Sequence, residues 1–275
     1  MHIANPMYDV VFKYLMEDND VAKLILSTIM GEEIVVLDFL PQERTILLDR
    51  RSLTVYRLDF SARIQTPDGH QRQVIIEIQK AKFATDIMRF RRYLGAQYQK
   101  KEHTYTRRVH GKTTTIAMPI VSIYFLGYPL EHTDAPVIKV ARTYSDATTG
   151  QKIRAREDFI ESLTHDSYVI QIPHLRPDHQ SDIEQLLSVF DQHRATANAH
   201  ILNINEEELP EKYRPIIRRL QRAIAEPDVQ ETMDAEDDIL QELEEMERII
   251  EEKDKALEEK DRLIEALQKR LNMSA

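Results

Sequence analysis

Asp59 and Glu77 lie at equal distances on either side of Thr66-Pro67-Asp68-Gly69-His70, and that spacing is where chemistry can be read in this chain. Proline presets φ, aspartate bonds its own backbone and glycine takes the left-handed position, so the segment is a turn. A three-residue loop pairs Thr66 with His70. Counting back in antiparallel register sets Asp59 opposite Glu77 and Arg57 opposite Gln79, with opposed side chains about 4.5–5.5 Å apart at Cβ. The period of two puts Glu77 and Gln79 on one face of their strand and Lys80 on the other.

The returning strand, Val74-Ile75-Ile76-Glu77-Ile78, is apolar on both faces apart from Glu77. A buried, unpaired carboxylate costs several kcal/mol or is neutralised by a raised pKa, and two opposed carboxylates are worse. A divalent cation relieves both. Mg²⁺ takes one or two carboxylates together with waters and phosphate oxygens, and a metal so held can activate water against a phosphodiester. Two plainer arrangements fit the same spacing: an exposed acid pair, and a Glu77–Arg57 ion pair.

The elements that must hold this hairpin follow from pattern. Asn5-Pro6 reads as an N-cap with proline at the first helical position, opening a helix with Val10, Val11, Tyr14 and Leu15 on one face. A second helix, 21–30, stops at Gly31. Residues 34–39 read as a strand, 53–65 and 71–80 as the hairpin, and 83–101 as a helix with Ile87, Phe90, Leu94 and Tyr98 on one side. Residues 116–126 read as one strand covered on both faces, with Pro119 near its start. Strands are expected at 137–142 and 168–172. A capping box, Ser181 with Glu184, opens a helix to about Phe190, and 211–224 form another.

At this point the residues resemble the PD-(D/E)XK nuclease superfamily, and within it the transposase-like recombination-promoting nuclease family. The matching pieces are Asn5-Pro6 with Asp9 and Phe12-Lys13, Arg57-Leu58-Asp59, Glu77-Ile78-Gln79, and then Arg89 and Tyr93. They cover residues 4–126, and more loosely the chain to 190. The resemblance implies an α/β fold, a restriction-endonuclease-like mixed sheet flanked by helices, and a Mg²⁺-dependent DNA endonuclease (Mn²⁺ possible) that promotes recombination. Asp59 and Glu77 would be the metal ligands. Gln79 stands where the superfamily pattern has lysine; glutamine is usual in this branch but cannot carry positive charge. Lys80, on the opposite face, substitutes only if a bulge intervenes. Asp9 points toward the site or is simply an acid favoured in a helix's first turn.

Charge is unevenly placed. The chain has a net charge of −10, but residues 226–275 carry 18 acids and 7 bases, while 80–112 carry ten Lys or Arg against two acids. Arg89, Arg91, Arg92, Lys100 and Lys101 could neutralise DNA phosphates, with Arg107, Arg108 and Lys112 beyond, or form a solvated basic face. Tyr93, Tyr98 and Tyr105 could stack on bases or pack in the core. His103/His110 and His193/His200, each seven apart, fit helix faces at the surface. With no Cys there are no disulfides, thiolate metal sites or cysteine nucleophiles. Six glycines, without a phosphate-binding loop or GxSxG, argue against nucleotide-cradling folds and serine hydrolases.

Ile239, Leu243, Met246, Ile250, Leu257, Ile264, Leu267 and Leu271 share the a and d positions of one heptad register, with Lys253 and Lys260 at d. A C-terminal coiled-coil helix that self-associates, most simply as a dimer, is expected, which could bring two single-cut sites to one duplex. The sequence thus divides into a nuclease-like domain (1–190), a helical extension and linker (191–231) and a coiled coil (232–275). No apolar run reaches 18 residues and no secretory signal is evident, so a cytoplasmic bacterial protein without membrane association is expected. Two other readings remain open: a catalytically degenerate nucleic-acid-binding protein, and an assembly protein whose coiled coil is its working part.

Overall fold

The computed structural model describes residues 1–39, 60–80, 86–101, 103–109, 111–176 and 181–273. In chain order the elements are β1 (His2–Ala4), α1 (Asp9–Met16), α2 (Asn19–Met30), β2 (Val36–Phe39), β3 (Phe60–Gln65), β4 (Gln71–Gln79) and α3 (Asp86–Gln99). Then come β5 (Thr104–Val109), β6 (Lys112–Ala117), β7 (Ile120–Leu126), β8 (Val137–Val140), β9 (Tyr144–Ser145), β10 (Lys152–Ile153) and α4 (Asp158–Leu163). The chain continues through β11 (Asp166–Gln171), α5 (Asp182–Leu187), β12 (Ile201–Asn203), α6 (Arg214–Ala223) and α7 (Pro227–Met273).

Six strands form a mixed sheet in the order β2-β3-β4-β7-β11-β8. The turn predicted at 66–70 is present: the Thr66 amide donates to the His70 carbonyl at 3.1 Å, and Gly69 has φ 84°. Antiparallel pairing of β3 with β4 runs from Gln65↔Gln71 to Phe60↔Ile76. β4 then pairs parallel with β7 and β7 parallel with β11, so three strands point their carboxyl ends the same way. Parallel strands need a crossover. Here α3 and the β5–β6 hairpin supply the first and the β8–α4 segment the second.

The two faces of the sheet differ. Val74, Ile76 and Ile78 of β4 join Val121, Ile123 and Phe125 of β7 in the main core, packed with α1, α2, α5 and α6. On the opposite face Ile75 and Ile120 pack under Phe90 and Leu94 of α3. That second face is seamed with polar groups. Gln73 donates to Ser61 at 2.9 Å and to Gln97 of α3 at 3.0 Å, and Ser122 donates to Ser167 at 2.9 Å. Burying such groups is tolerated only when they are paired.

Several expectations need correction. Residues 116–126 are two strands, not one: β6 ends at Ala117, Pro119 cannot donate to a ladder, and β7 starts at Ile120. Asn5 does not cap a helix. Its side chain donates to Gln192 Oε1 and the Ala199 carbonyl, each at 2.8 Å, and Tyr8 is the N-cap of α1. His103 is buried just before β5, with Nδ1 3.1 Å from the Gln97 carbonyl oxygen. His193 is exposed, as expected, in the single 3₁₀ turn Gln192–Arg194, and His200 is half-buried in a turn, so the two share no helix face. His110 lies outside the described residues.

The chain divides into two compact units, Met1–Met233 and Asp234–Ala275. Residues 191–231, expected as an extension and linker, belong to the first: β12 pairs with β1, and Ile216, Ile217 and Leu220 of α6 are fully buried. Among the described residues no helix is long and apolar enough to cross a membrane.

At one sheet edge Arg142 gathers β8, α4 and β11. Its Nε donates to Asp166 at 2.9 Å and an Nη to Glu161 at 2.8 Å, while Arg156 and the Tyr144 hydroxyl also donate to Glu161. Burial raises both carboxyl pKa values, but these hydrogen bonds and charges outweigh it and the net shift is downward. Groups with depressed folded values stabilise fully above the ordinary values, 4.5 for Glu and 3.8 for Asp, and lose that contribution as pH falls through the folded values. Urea titrations should therefore show a stability plateau above about pH 5 and an acid limb below it. Glu161→Gln should lower the plateau and flatten the limb. Asn5→Ala should cost about 1–3 kcal/mol in the same assay, since it strands Gln192 and the Ala199 carbonyl.

Candidate functional site

The carboxyl ends of β4 and β7 bring together the described residues of the predicted site. Alternation from Gln73 and Ile75 puts Glu77 on the α3 face, where it is paired in register with Tyr124 of β7. Glu77 is buried, at 7% exposure. Tyr124 packs edge-on to Phe90 at 4.5 Å between centroids. Its phenol pKa is raised, first by burial and then by the neighbouring Glu77 carboxylate, so Tyr124 remains a neutral hydroxyl throughout the physiological range.

Gln79 follows on the same face, also buried. The Tyr128 hydroxyl donates to its Oε1 at 2.8 Å. That bond assigns the acceptor side of the amide and leaves Nε2 as its donor. Tyr128 was not singled out from the sequence; the only signal there is its position just past an apolar strand, in Gly127-Tyr128-Pro129.

Gly127 fixes that loop against β4. Its amide donates to the Gln79 carbonyl at 2.7 Å, and a Cβ built there would lie 2.4 Å from the Lys80 carbonyl oxygen. Only glycine permits so close an approach of two backbones.

Lys80 is on the other face, as alternation requires. Its ammonium sits 3.2 Å from the centroid of the Tyr8 ring, and Tyr8 in turn meets His200 edge-on at 4.8 Å. Since Tyr8 caps α1, this contact brings the start of that helix, with Asp9 in its first turn and half-buried, to the end of β4. The structure thus gathers Glu77, Gln79, Lys80 and the Asp9 turn at one end of the sheet, with Lys80 facing away from the Glu77–Gln79 side.

Asp59 and Arg57 lie outside the described residues. The hairpin register is as predicted through Phe60↔Ile76, one pair short of the expected Asp59–Glu77 pair. Among the described residues no group of three or more His, Asp or Glu could hold a metal ion. The described donors are the Glu77 carboxylate and the Gln79 amide oxygen, hard oxygen ligands of the type that suits Mg²⁺.

Of the basic residues, Arg89 falls in the first turn of α3, Arg91, Arg92 and Lys101 are exposed and Lys100 is half-buried. Arg108 and Lys112 are exposed on the β5–β6 hairpin, which carries no acid. Tyr98 is neither stacked in the core nor free: its hydroxyl meets His165 Nδ1 at 3.0 Å. A cleft of about 470 Å³ opens at the opposite end of the sheet, among Arg72, Lys139, Arg142 and Arg156, and is separate from this site.

Family models, curated proteins and solved structures were compared with this chain, and none matches. The reading of the site therefore rests on its own residues.

Gly127→Ala should push the Tyr128 loop away from β4 and cost about 1–3 kcal/mol, the usual penalty of overpacking. Thermal unfolding together with loss of protection of the Gly127 amide in hydrogen exchange checks it.

Proposed function

We propose that residues 1–233 form a Mg²⁺-dependent DNA endonuclease of restriction-endonuclease-like, transposase-like type. The observation that carries this reading is the buried Glu77 carboxylate at the carboxyl end of a central parallel strand, followed on the same face by an amide oriented by Tyr128. Ligands of open α/β sheets bind at the carboxyl ends of their strands.

In this reading Glu77 and Asp59 hold the metal. When bound, Mg²⁺ supplies Lewis-acid stabilisation of the phosphoryl oxygens and a water of lowered pKa. Gln79 Nε2 donates a hydrogen bond to the attacking water or to a non-bridging phosphate oxygen. It neither gains nor loses a proton, so it positions and does not act as a base. Lys80, turned onto Tyr8, anchors α1 instead of entering the site. Arg89, Arg91, Arg92, Lys100 and Lys101 neutralise backbone phosphates, with affinity that is independent of sequence and sensitive to salt. The exposed apolar stripe of α7 pairs chains into a dimer.

Purified protein should nick or linearise plasmid DNA with Mg²⁺ or Mn²⁺ and not with EDTA. Glu77→Gln and Asp59→Asn should each lower the rate more than about 100-fold, beyond the 10–100-fold typical of residues behind a ligand. Tyr128→Phe should cost about tenfold with DNA affinity unchanged. Cleavage retained in all three variants would refute the assignment. DNA binding by wild type without any cleavage would favour the non-catalytic binding reading, which the neutral Gln79 makes the nearest rival. Separately, Arg91→Ala/Arg92→Ala should reduce the slope of log K against log salt by about 2.

A further inference from the structure

The second unit is a single helix, and its heptad seam is open. α7 continues without interruption to Met273, yet Met246 is 39% exposed, Ile250 56%, Leu257 57% and Ile264 50%. Ile249, at a g position, is also 39% exposed and widens the stripe. Apolar residues at this spacing are covered when a second helix supplies the holes for them. The proposal above makes that partner a second copy of the chain; its orientation is a separate question, and charge decides it.

In a parallel, in-register pair each residue of the seam faces its own copy. Lys253 would meet Lys253 of the partner subunit, and Lys260 would meet Lys260 of the partner subunit, giving two like-charge layers in the seam. The flanks fare no better, because g pairs with the following e. Glu242 would face Glu247 of the partner subunit, and Ile249 would face Asp254 of the partner subunit.

An antiparallel pair centred on residue 255 removes both like-charge layers from the seam and the conflicts on the g flank. There a positions face d positions: Lys253 meets Leu257 of the partner subunit, Lys260 meets Ile250 of the partner subunit, and Leu243 meets Leu267 of the partner subunit. Lysine beside an apolar residue lays its stem along it and carries its ammonium to water. The g flank becomes complementary, with Glu242 opposite Arg270 of the partner subunit and Ile249 opposite Leu263 of the partner subunit. On the e flank Glu247 and Asp254 meet acids, but these are solvent-facing and screened by salt.

We infer that α7 pairs with a second copy of itself in antiparallel orientation. This rests on the self-association proposed above. The two chains enter the paired segment from opposite ends, so their first seam residues, Ile239 in each chain, are held roughly 50 Å apart by a seam of about 33 residues. Two bodies tethered in that way address separate points on DNA and not the two strands of one base-pair step.

The absence of cysteine from the chain gives a direct test. In full-length protein, Ala256→Cys lies at the antiparallel centre, where g faces its own copy, and should cross-link on mild oxidation. Met246→Cys should not, its two copies being about 27 Å apart. In a parallel pair the outcomes reverse. Glu242→Arg should weaken the dimer about three- to tenfold in sedimentation equilibrium, and Glu242→Arg/Arg270→Glu should restore it. Tightening by Glu242→Arg, or cross-linking of Met246→Cys alone, overturns the orientation while leaving self-association intact. A monomer at all concentrations overturns both.

Discussion

Strand β4 is hydrogen-bonded on both edges and covered on both faces, and this buries its polar side chains from Gln73 to Gln79. Gln73 meets the constraint through Nε2, which donates to Ser61 and Gln97, while its Oε1 is buried without a partner; Gln79 meets it with Tyr128. A lost partner at either position would cost a buried polar group its desolvation, on the order of 1–3 kcal/mol. Glu77 is the demanding case, because a carboxylate needs positive charge or strong donors. The strand therefore organises its surroundings around these residues. α3 covers the face that carries them, and the purely apolar core is confined to the other.

The same strand fixes the loops at its end. Because β4 and β7 are parallel, their carboxyl ends emerge together, and the Gly127–Lys80 backbone approach locks the second to the first. Lys80 extends the coupling to the opposite face through the Tyr8 ring, and Tyr8 leads into α1. The chain's start is itself held by its later part: Asn5 bonds Gln192 and Ala199, and β1 pairs with β12. Residues some 200 positions apart thus converge behind the Glu77 end of the sheet. Removal of the 191–233 segment would unpin α1 as well as expose core.

What the sequence made legible was local. Pro67-Asp68-Gly69 carries its turn chemistry in the residues themselves, and the period of two then follows without tertiary information, so the register and the facing of Glu77, Gln79 and Lys80 could be counted. Gly31 stopped α2 for the same kind of reason, with φ 69°. Asn5-Pro6 misled because the Asn5 oxygen accepts the Met7 amide as a cap would, while its Nδ2 is bonded to Gln192 and Ala199, and the helix begins only after Tyr8. The run 116–126 misled because hydrophobicity does not register a missing amide; Pro119 does. The β1–β12 pair and the Arg142–Glu161–Asp166 network join distant segments and leave no periodic trace. Tyr128 escaped notice because its role depends on Gly127 bringing two backbones together, which spacing alone does not reveal.

The chain's net charge of −10 does not oppose a DNA-binding reading, and the reason is range. The negative charge resides in residues 226–275, while Arg91 and Arg92 of α3 and Arg108 and Lys112 of the β5–β6 hairpin are exposed. At physiological ionic strength the Debye length is about 8 Å, less than the diameter of one helix with its side chains. A phosphate at the surface of α3 responds to Arg91 and Arg92, and to an acid only where that acid comes within this range. As salt falls the screening length grows, and charges farther along the chain begin to count. Repulsion then offsets part of the gain that counterion release would otherwise give. A net charge summed over the whole chain is therefore no guide to the field at α3, where the local balance of charge decides.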